Sequence, residues 1–515
     1  MNIRVSELKG TEKVVKRNHG FMPSNPHKLD VVLKDAYDLA MSEVIARHYP
    51  QGLFAVADLT PEIDGNTIHQ KIKCSGRHLK LENRDGQMVP VEDSSMPDRE
   101  FEIELELSDV EAKALSIRST EEGTGFLLKA IKLCNFLSYG DSEKDEPLQM
   151  RALNVIIGSN GAGKSNLLEA ISLLNAASSD ILSVIREGGG VGDWLWKGNE
   201  GGGSVAKIDV EINTAKMLRP LRYVFSFTEE AQRFSLVDER VELAQPLGAC
   251  EKPYLFYAFS NGNPVLNING EKRRLQHEQV DFGASILSQR KDPSAYPELT
   301  NLGKLFSQIR VYREWSFGRY TPPRIPQKAD LPTDFLLPGA QNLGLILNTF
   351  QLKPTVKKRF LDALHALYDS ITDYHVQIEG GTVQLFLQEG GRMIPATRLS
   401  DGTLRYICLL AILCHPNPPP LVCIEEPELG LHPDVMSTLA DLLREASTRC
   451  QLVVTTHSDY LVDAFHDTPE DVIVAEKTTE GTTLKRLSAE KLKPWLEKYR
   501  LCDLWISGEI GGTRW

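Results

Sequence analysis

Leu153-Asn-Val-Ile-Ile157 runs directly into Gly158-Ser-Asn-Gly-Ala-Gly-Lys164-Ser165, and Ser165-Asn-Leu-Leu-Glu-Ala-Ile-Ser-Leu-Leu174 runs out of it. The first stretch is a short apolar run that reads as a buried strand, and the last is a helix-forming run. Strand, glycine loop ending in Lys-Ser, then helix is the setting in which such a loop binds phosphate. Glycines let backbone N–H groups turn inward, and the N-terminus of the following helix adds partial positive charge. Gly158, Ser159, Asn160, Gly161, Ala162 and Gly163 form the predicted cradle, with Asn166 just beyond it. Lys164 is assigned to the β- and γ-phosphates of ATP, and Ser165 to Mg²⁺.

Three segments further along narrow the class. Leu399-Ser400-Asp401-Gly402-Thr403 precedes an apolar helical stretch, Leu404 to Leu413. Taken alone, Ser-Asp-Gly in that position is first a helix N-cap, because a short polar side chain satisfies free amides there. After a proline-rich break at 415–420, Leu421-Val-Cys-Ile424 reads as a buried strand ending in Glu425-Glu426-Pro427-Glu428. Adjacent carboxylates on an extended segment point to opposite faces. Both reach one site only if the strand ends there and the backbone bends, and Pro427 fits such an ending. A helix is expected over Val435–Arg444, then a strand over Gln451–Thr455 that delivers Thr456-His457-Ser458. Each signal is modest, but the four occur in a fixed order.

In that order the chain resembles ABC-type ATPases, in the branch of SMC and RecF proteins. It looks closest to bacterial RecF-like AAA ATPases with Glu-Glu-Pro-Glu in the carboxylate strand. The resemblance spans roughly 124–515 and includes Phe126 to Gly140, Tyr312-Arg-Glu-Trp315, Asn342 to Asn348 and Leu504 to Gly512. It implies an α/β fold: a P-loop ABC-type head, a compact second helical/β lobe, and a small N-terminal α/β or α+β appendage. It also implies that Glu425 contacts Mg²⁺ directly or through water, that Glu426 polarises the attacking water, and that His457 contacts the γ-phosphate. Ser400 and Gly402 are implied to reach the γ-phosphate of ATP held by a second subunit, so that the protein works as a homodimer or higher homo-oligomer. Asn135 and Phe136 are candidates for the adenine contact. The segment Leu-Ser-Asp-Gly-Thr departs from the usual Leu-Ser-Gly-Gly-Gln, and Glu425 stands where most relatives have Asp.

The chain has 515 residues, 41% of them hydrophobic and 25% charged, which is the make-up of a soluble globular protein with two or three lobes. No apolar run approaches a bilayer span of roughly 20 residues, so no membrane partner is expected. Met1-Asn-Ile-Arg-Val-Ser-Glu lacks an apolar secretion core. The eight cysteines include no Cys-x-x-Cys pair. A reduced, cytoplasmic setting is the expectation, without a disulfide scaffold or zinc site. The net charge of −12 opposes non-specific nucleic-acid binding by the chain as a whole. A local basic groove is left open, with Arg310, Arg313, Arg319, Arg324, Lys328, Lys353, Lys357, Lys358 and Arg359 as candidates; a solvated charged face is the alternative.

Residues 1–122 precede the ATPase resemblance and read as an appendage for partner docking or as a plain extension. A helix is expected over about 28–46, a strand over Gly52–Ala57, and another over the alternating run Glu100–Leu107. Within 123–515, residues about 215–370 read as an inserted lobe, with Val356–Tyr368 as an amphipathic helix. No heptad pattern is sustained, which excludes a long coiled-coil arm. Asp459, Asp463, Asp467 and Asp471 fall in one short stretch, read as an exposed helix and turn, so no intrinsic nuclease is expected. The leading reading is an ATP-driven dimerising switch that controls a separately encoded effector, such as a nuclease, in bacterial anti-phage defence. The alternatives are a RecF-like DNA-maintenance ATPase and an ATP-bound scaffold that rarely turns over.

Overall fold

A computed structural model describes residues 126–515 except 142–144, 199–204, 215–218, 247–251, 261, 269–270, 276–279, 314 and 513–515, and the backbone of strands within 1–125. Two units are present, one of Met1–Gly123 with Gln245–Tyr254 and the other of Thr124–Ala244 with Leu255–Trp515. In the first unit, Asn2–Glu7 pairs antiparallel with Arg99–Glu106, which pairs with Thr67–Ser75, which pairs in turn with Ala55–Asp58. The strands expected near Gly52–Ala57 and Glu100–Leu107 fall at Ala55–Asp58 and Arg99–Glu106. The helix expected over 28–46 lies outside the described residues.

In the second unit the site-bearing elements are, in chain order, β1 (Leu128–Cys134), β2 (Leu153–Ile157), α1 (Lys164–Ala177), β3 (Ala206–Ile212), β4 (Leu221–Glu230), β5 (Arg233–Leu243), β6 (Leu255–Ser260), β7 (Asn263–Ile268), β8 (Glu271–Arg274), β9 (Arg310–Tyr312), α2 (Asp401–Leu413), β10 (Leu421–Glu425), α3 (Met436–Ser447), β11 (Gln451–Thr455), β12 (Val472–Thr478) and β13 (Gly481–Arg486). One sheet has the order β9-β10-β11-β2-β12-β13. Its strands are parallel up to β12, and β13 closes it as an antiparallel hairpin partner. Every residue of β2 and β11 is buried. Continuous apolar runs are what a parallel sheet covered on both faces requires. Each fully buried Leu, Ile or Val contributes roughly 1.5–3 kcal/mol.

The register aligns the ends of these strands. Ile156 of β2 faces Thr455 of β11, and Thr455 faces Glu425 of β10. Loop 158–163, the Glu-Glu-Pro-Glu turn and Thr456-His457 therefore leave the carboxyl edge side by side, which is where parallel α/β sheets bind ligands.

Residues 215–370 are shared out among three parts. β4 to β8 continue an eight-stranded antiparallel sheet that also contains Leu148–Gln149, β1 and β3. β9 returns to the parallel sheet. Helices Leu343–Gln351 and Pro354–His365 pack with α2 and with the hairpin Ile371–Glu379/Thr382–Glu389. The side chain of Gln451 ties the two large sheets together, accepting from Leu128 N at 2.8 Å and donating to Leu128 O at 2.7 Å. Helix α2 is apolar on nearly every face and is buried accordingly, with Leu404, Tyr406, Ile407, Leu409 and Leu410 at 0% exposure. Cys408, Cys414 and Cys423 are buried free thiols in this core. Among the described residues, no helix is long and apolar enough to cross a membrane.

Candidate nucleotide site

Loop 158–163 needs its glycines. Gly163 has φ +96° and caps α1 without a side-chain bond. A Cβ there would sit 2.4 Å from Thr482 Oγ1 and 2.5 Å from Ser138 Oγ. A Cβ on Gly158 (φ +151°) would sit 2.4 Å from Ala475 O. The bare cap leaves the first amides of α1 for an anion. Lys164 Nζ folds back over the loop, donating to Gly158 O at 2.9 Å and Ser159 O at 3.1 Å. Burial lowers its pKa to about 8, against the opposing charges of Glu426, Glu425 and Glu428.

A brace lies behind the loop, made of residues that no local pattern singles out. Thr482 Oγ1 contacts Ser138 Oγ at 2.7 Å and Ala162 O at 3.0 Å, and Tyr139 OH donates to Gly163 O at 3.1 Å. Asn166, predicted on the nucleotide, donates to Ser138 Oγ at 2.7 Å and belongs to this brace. Phe136 is fully buried against Trp194, with ring centroids 5.8 Å apart, and so offers no open face to an adenine.

The carboxylate strand meets the loop at Ser165, whose Oγ donates to Glu425 Oε1. The other Glu425 oxygen accepts from Arg313 Nε at 2.9 Å, and Arg313 Nη1 pairs with Glu169 of α1 at 2.6 Å. A hydroxyl and a carboxylate converging beside a phosphate loop are the hard oxygen ligands that Mg²⁺ takes. Among the described residues no group of three or more His, Cys, Asp or Glu could hold a metal. As two oxygen donors beside the loop, Ser165 and Glu425 would suit an ion that completes its shell with phosphate and water.

Glu426 is the first residue past β10 and has φ +46°. That left-handed turn costs a non-glycine residue about 1–2 kcal/mol, and it is the bend that two neighbouring carboxylates need to serve one site. Its N–H is held by Thr455 O at 3.0 Å, and its carboxylate lies 3.5 Å from His457 Nε2. Glu428 locks the two strand ends together. Its Oε1 accepts from Thr456 Oγ1 at 2.6 Å and from His457 N at 2.7 Å, while its Oε2 is buried and has no hydrogen-bond partner among the described residues. Burial raises the Glu428 pKa, and these hydrogen bonds oppose the rise. In sequence Glu428 has no role beyond its place in the motif; the structure gives it one.

The Leu399–Thr403 segment leads into α2, beside the turn that follows Glu428. Ser400 caps α2, accepting from Thr403 N at 3.1 Å. A Cβ on Gly402 would lie 2.5 Å from Gly430 O, so this glycine lets α2 approach the turn after Glu428. Arg324 bonds Phe317 O at 2.7 Å as well as Leu399 O and the Asp401 carboxylate. Among the described residues, the Ser400 hydroxyl bonds to Thr403 of α2 and does not reach the phosphate loop of its own chain.

The candidate basic groove is largely spent on internal bonds. Arg313 and Arg324 are engaged as above, and Arg310 donates to Ser307 O at 3.0 Å. Lys357 pairs with Asp373 at 2.8 Å, and Arg359 with Glu445 at 2.9 Å. Arg319, Lys328, Lys353 and Lys358 are exposed. Asp459 and Asp463 lie on the short helix Asp459–Asp463, with Asp467 and Asp471 in the following turns.

A parallel sheet with a phosphate loop, hydroxyl, paired carboxylates and histidine along one carboxyl edge is a P-loop nucleotide-binding domain of the AAA type. The family model described as "AAA domain, putative AbiEii toxin, Type IV TA system" matches residues 153–463, more than half of the chain, and the chain belongs to that family. Among solved structures, it is similar to an SMC head bound to the C-winged helix domain of ScpA, at 14% identity and TM-score 0.45, covering 71% of this chain and 99% of that one. A Pyrococcus furiosus Smc head bound to the C-terminal domain of ScpA is similar at 13% identity and TM-score 0.44, covering 72% and 98%. The Thermotoga maritima SMC head has 14% identity and TM-score 0.36, covering 70% and 99%. The class assignment stands on the strand order, the loop and the family match. No curated protein matches the chain.

Proposed function

We propose that this chain is an ATP-hydrolysing switch whose reaction centre is shared between two copies. The observation that carries the hydrolytic part is Glu426, turned out of β10 at φ +46° and set 3.5 Å from His457, next to the Ser165–Glu425 pair. Phosphoryl transfer to water needs positioning and charge neutralisation more than covalent help. The loop amides and Lys164 would bind the phosphate oxygens. Mg²⁺, when held by Ser165 and Glu425, supplies further positive charge to those oxygens. Glu426 would orient the attacking water, and His457 would contact the γ-phosphate. Glu428 keeps Glu426 and His457 in register by holding Thr456 and the His457 amide.

The shared centre is supported by the position of Ser400. It is exposed at the start of α2, and its hydroxyl bonds within its own helix. A γ-phosphate presented by a second copy would give that hydroxyl and the nearby Gly402 amide a ligand. ATP would then join two copies, and loss of the γ-phosphate would release them, a ligand-biased two-state element. The family's description in terms of a toxin–antitoxin system supports a defence setting, and control of a separately encoded effector such as a nuclease in anti-phage defence is the further step proposed. That step rests on analogy between relatives. For the DNA-maintenance alternative, five of the nine basic-groove candidates, Arg310, Arg313, Arg324, Lys357 and Arg359, are bonded within the chain, and DNA-stimulated, salt-sensitive turnover would test it. ATP turnover measured across a dilution series tests the proposal. Specific activity should fall as protein is diluted below the dimer dissociation constant; a constant value together with a monomeric ATP-bound species would refute the shared centre.

A further inference from the structure

The entrance of α2 carries three hydroxyls in a row. Ser400 Oγ lies 2.7 Å from Thr403 Oγ1, and Thr403 Oγ1 donates to the Tyr368 hydroxyl at 2.7 Å. Tyr368 is half-buried, Thr403 is buried and Ser400 is exposed, so the row passes through a buried centre and ends at the surface. Because Thr403 uses its proton on Tyr368, Ser400 supplies the proton between Ser400 and Thr403. Each hydroxyl has one O–H and two lone pairs and turns about its C–O bond. The whole row can therefore reverse without losing either internal bond. Tyr368 then donates to Thr403, Thr403 donates to Ser400, and the Ser400 proton points outward.

We propose that Tyr368 and Thr403 form a hydroxyl relay that turns Ser400 into an oriented donor for a phosphate oxygen of the nucleotide held by a second copy of this chain. Tyr368 is thus a positioning residue two steps from the ligand. The inference rests on the shared-centre reading and deepens it. Hydrogen bonds aligned in one direction polarise one another, so the reversed row makes Ser400 a stronger donor than an isolated serine. Tyr368 also keeps the Thr403 hydroxyl facing Ser400; without it, a threonine hydroxyl in a helix turns back to the carbonyl four residues earlier, here Leu399. The relay gives Thr403 a use that depends on its hydroxyl, at the position where the usual segment has Gln.

The test is ATP-dependent dimerisation of the full chain by sedimentation, in a Glu426→Gln background that stops turnover, with thermal melting of each variant as the folding control. Ser400→Ala and Tyr368→Phe should each weaken the ATP-bound dimer by roughly 2- to 10-fold, the worth of about one hydrogen bond. Ser400→Ala/Tyr368→Phe should be no weaker than Ser400→Ala alone. Thr403→Ser should match the parent, and Thr403→Val should resemble Ser400→Ala. If Thr403→Val does not fold, the Ser400–Tyr368 cycle decides. An unchanged dimer in Ser400→Ala would overturn the shared centre and the relay together. A weakened Ser400→Ala with Tyr368→Phe at the parent value, or with the two effects adding in full, would overturn the relay alone.

Discussion

The carboxyl edge of the parallel sheet and the entrance of α2 are both rich in short polar side chains, but they use them differently. At the sheet edge the bonds join residues far apart in sequence: Ser165 with Glu425, Arg313 with Glu169 and Glu425, Thr482 with Ala162, and Glu428 with Thr456 and His457. At α2, Ser400 bonds three residues ahead, and the segment is held from behind by Arg324 and Tyr368. The first region is a set of groups already aimed at one point. The second is a braced segment at the surface, whose hydroxyl, under the proposed shared centre, acts on the nucleotide of another copy. The difference separates two kinds of variant, those that damage the chemistry within one copy and those that damage the meeting of two copies.

The largest effects belong to the sheet edge. Lys164→Ala removes the cation over the loop and should lower turnover by roughly 10²–10³-fold or more, as loss of a charge-stabilising donor does, measured by phosphate release at saturating ATP. Glu426→Gln should reduce turnover by about 10²–10⁴-fold, the usual range for a general base, while ATP-bound dimer accumulates. A Glu426→Gln protein that turns over normally would remove Glu426 from the chemistry.

Glu428 sharpens the contrast. Glu428→Ala strands Thr456 Oγ1 and the His457 amide and should cost about 1–3 kcal/mol, read as a lower melting temperature and reduced kcat. Glu428→Gln keeps an acceptor for both donors and should lose less of kcat. Equal losses in the two variants would mean that the charge, rather than the acceptor, matters.

At α2 the effects should be on association. Arg324→Ala uncovers the Phe317 and Leu399 carbonyls and should destabilise the fold by about 1–3 kcal/mol, with weaker ATP-dependent dimerisation and little change in ATP binding by the monomer. Asp401→Asn should be the mildest, within about 1 kcal/mol in a melting experiment, because Asp401 is 71% exposed in its pair with Arg324.

The features of the molecule legible in sequence are those set by local pattern. Continuous apolar runs mark β2, β10 and β11, and the turn chemistry at Gly158–Ser165 and Glu425–Pro427 marks the loops that leave two of them. The helix at Pro354–His365 is expected, over Val356–Tyr368, from its amphipathic pattern, and α2 from the apolar stretch that follows Ser400-Asp-Gly. Thr482, Arg313 and Glu428 are not recognisable in their roles, because each acts through partners brought near only by strand order. The basic-groove candidates sort into bonded and exposed residues only in the structure, for a related reason. A run of Arg and Lys has the same charge in sequence whether a guanidinium is solvated or, like Arg324, caps buried carbonyls. Alternation identifies β3 and β4 as strands, but their union with β1 in one sheet depends on pairings beyond any local window.

Mixing two impaired variants, at a dilution where the Ser400→Ala protein is mostly dissociated, tests the shared centre most directly. A dimer of one Lys164→Ala copy and one Ser400→Ala copy contains one centre with both residues intact and one with neither. Random pairing into symmetric dimers should make half of them mixed, so the mixture should recover up to about a quarter of the parent turnover, provided the two centres fire independently. Recovery well above the sum of the separate variants is the predicted result. A mixture no more active than that sum, with mixed dimers present by sedimentation, or a Ser400→Ala protein as active as the parent when dilute, would contradict a centre shared between copies.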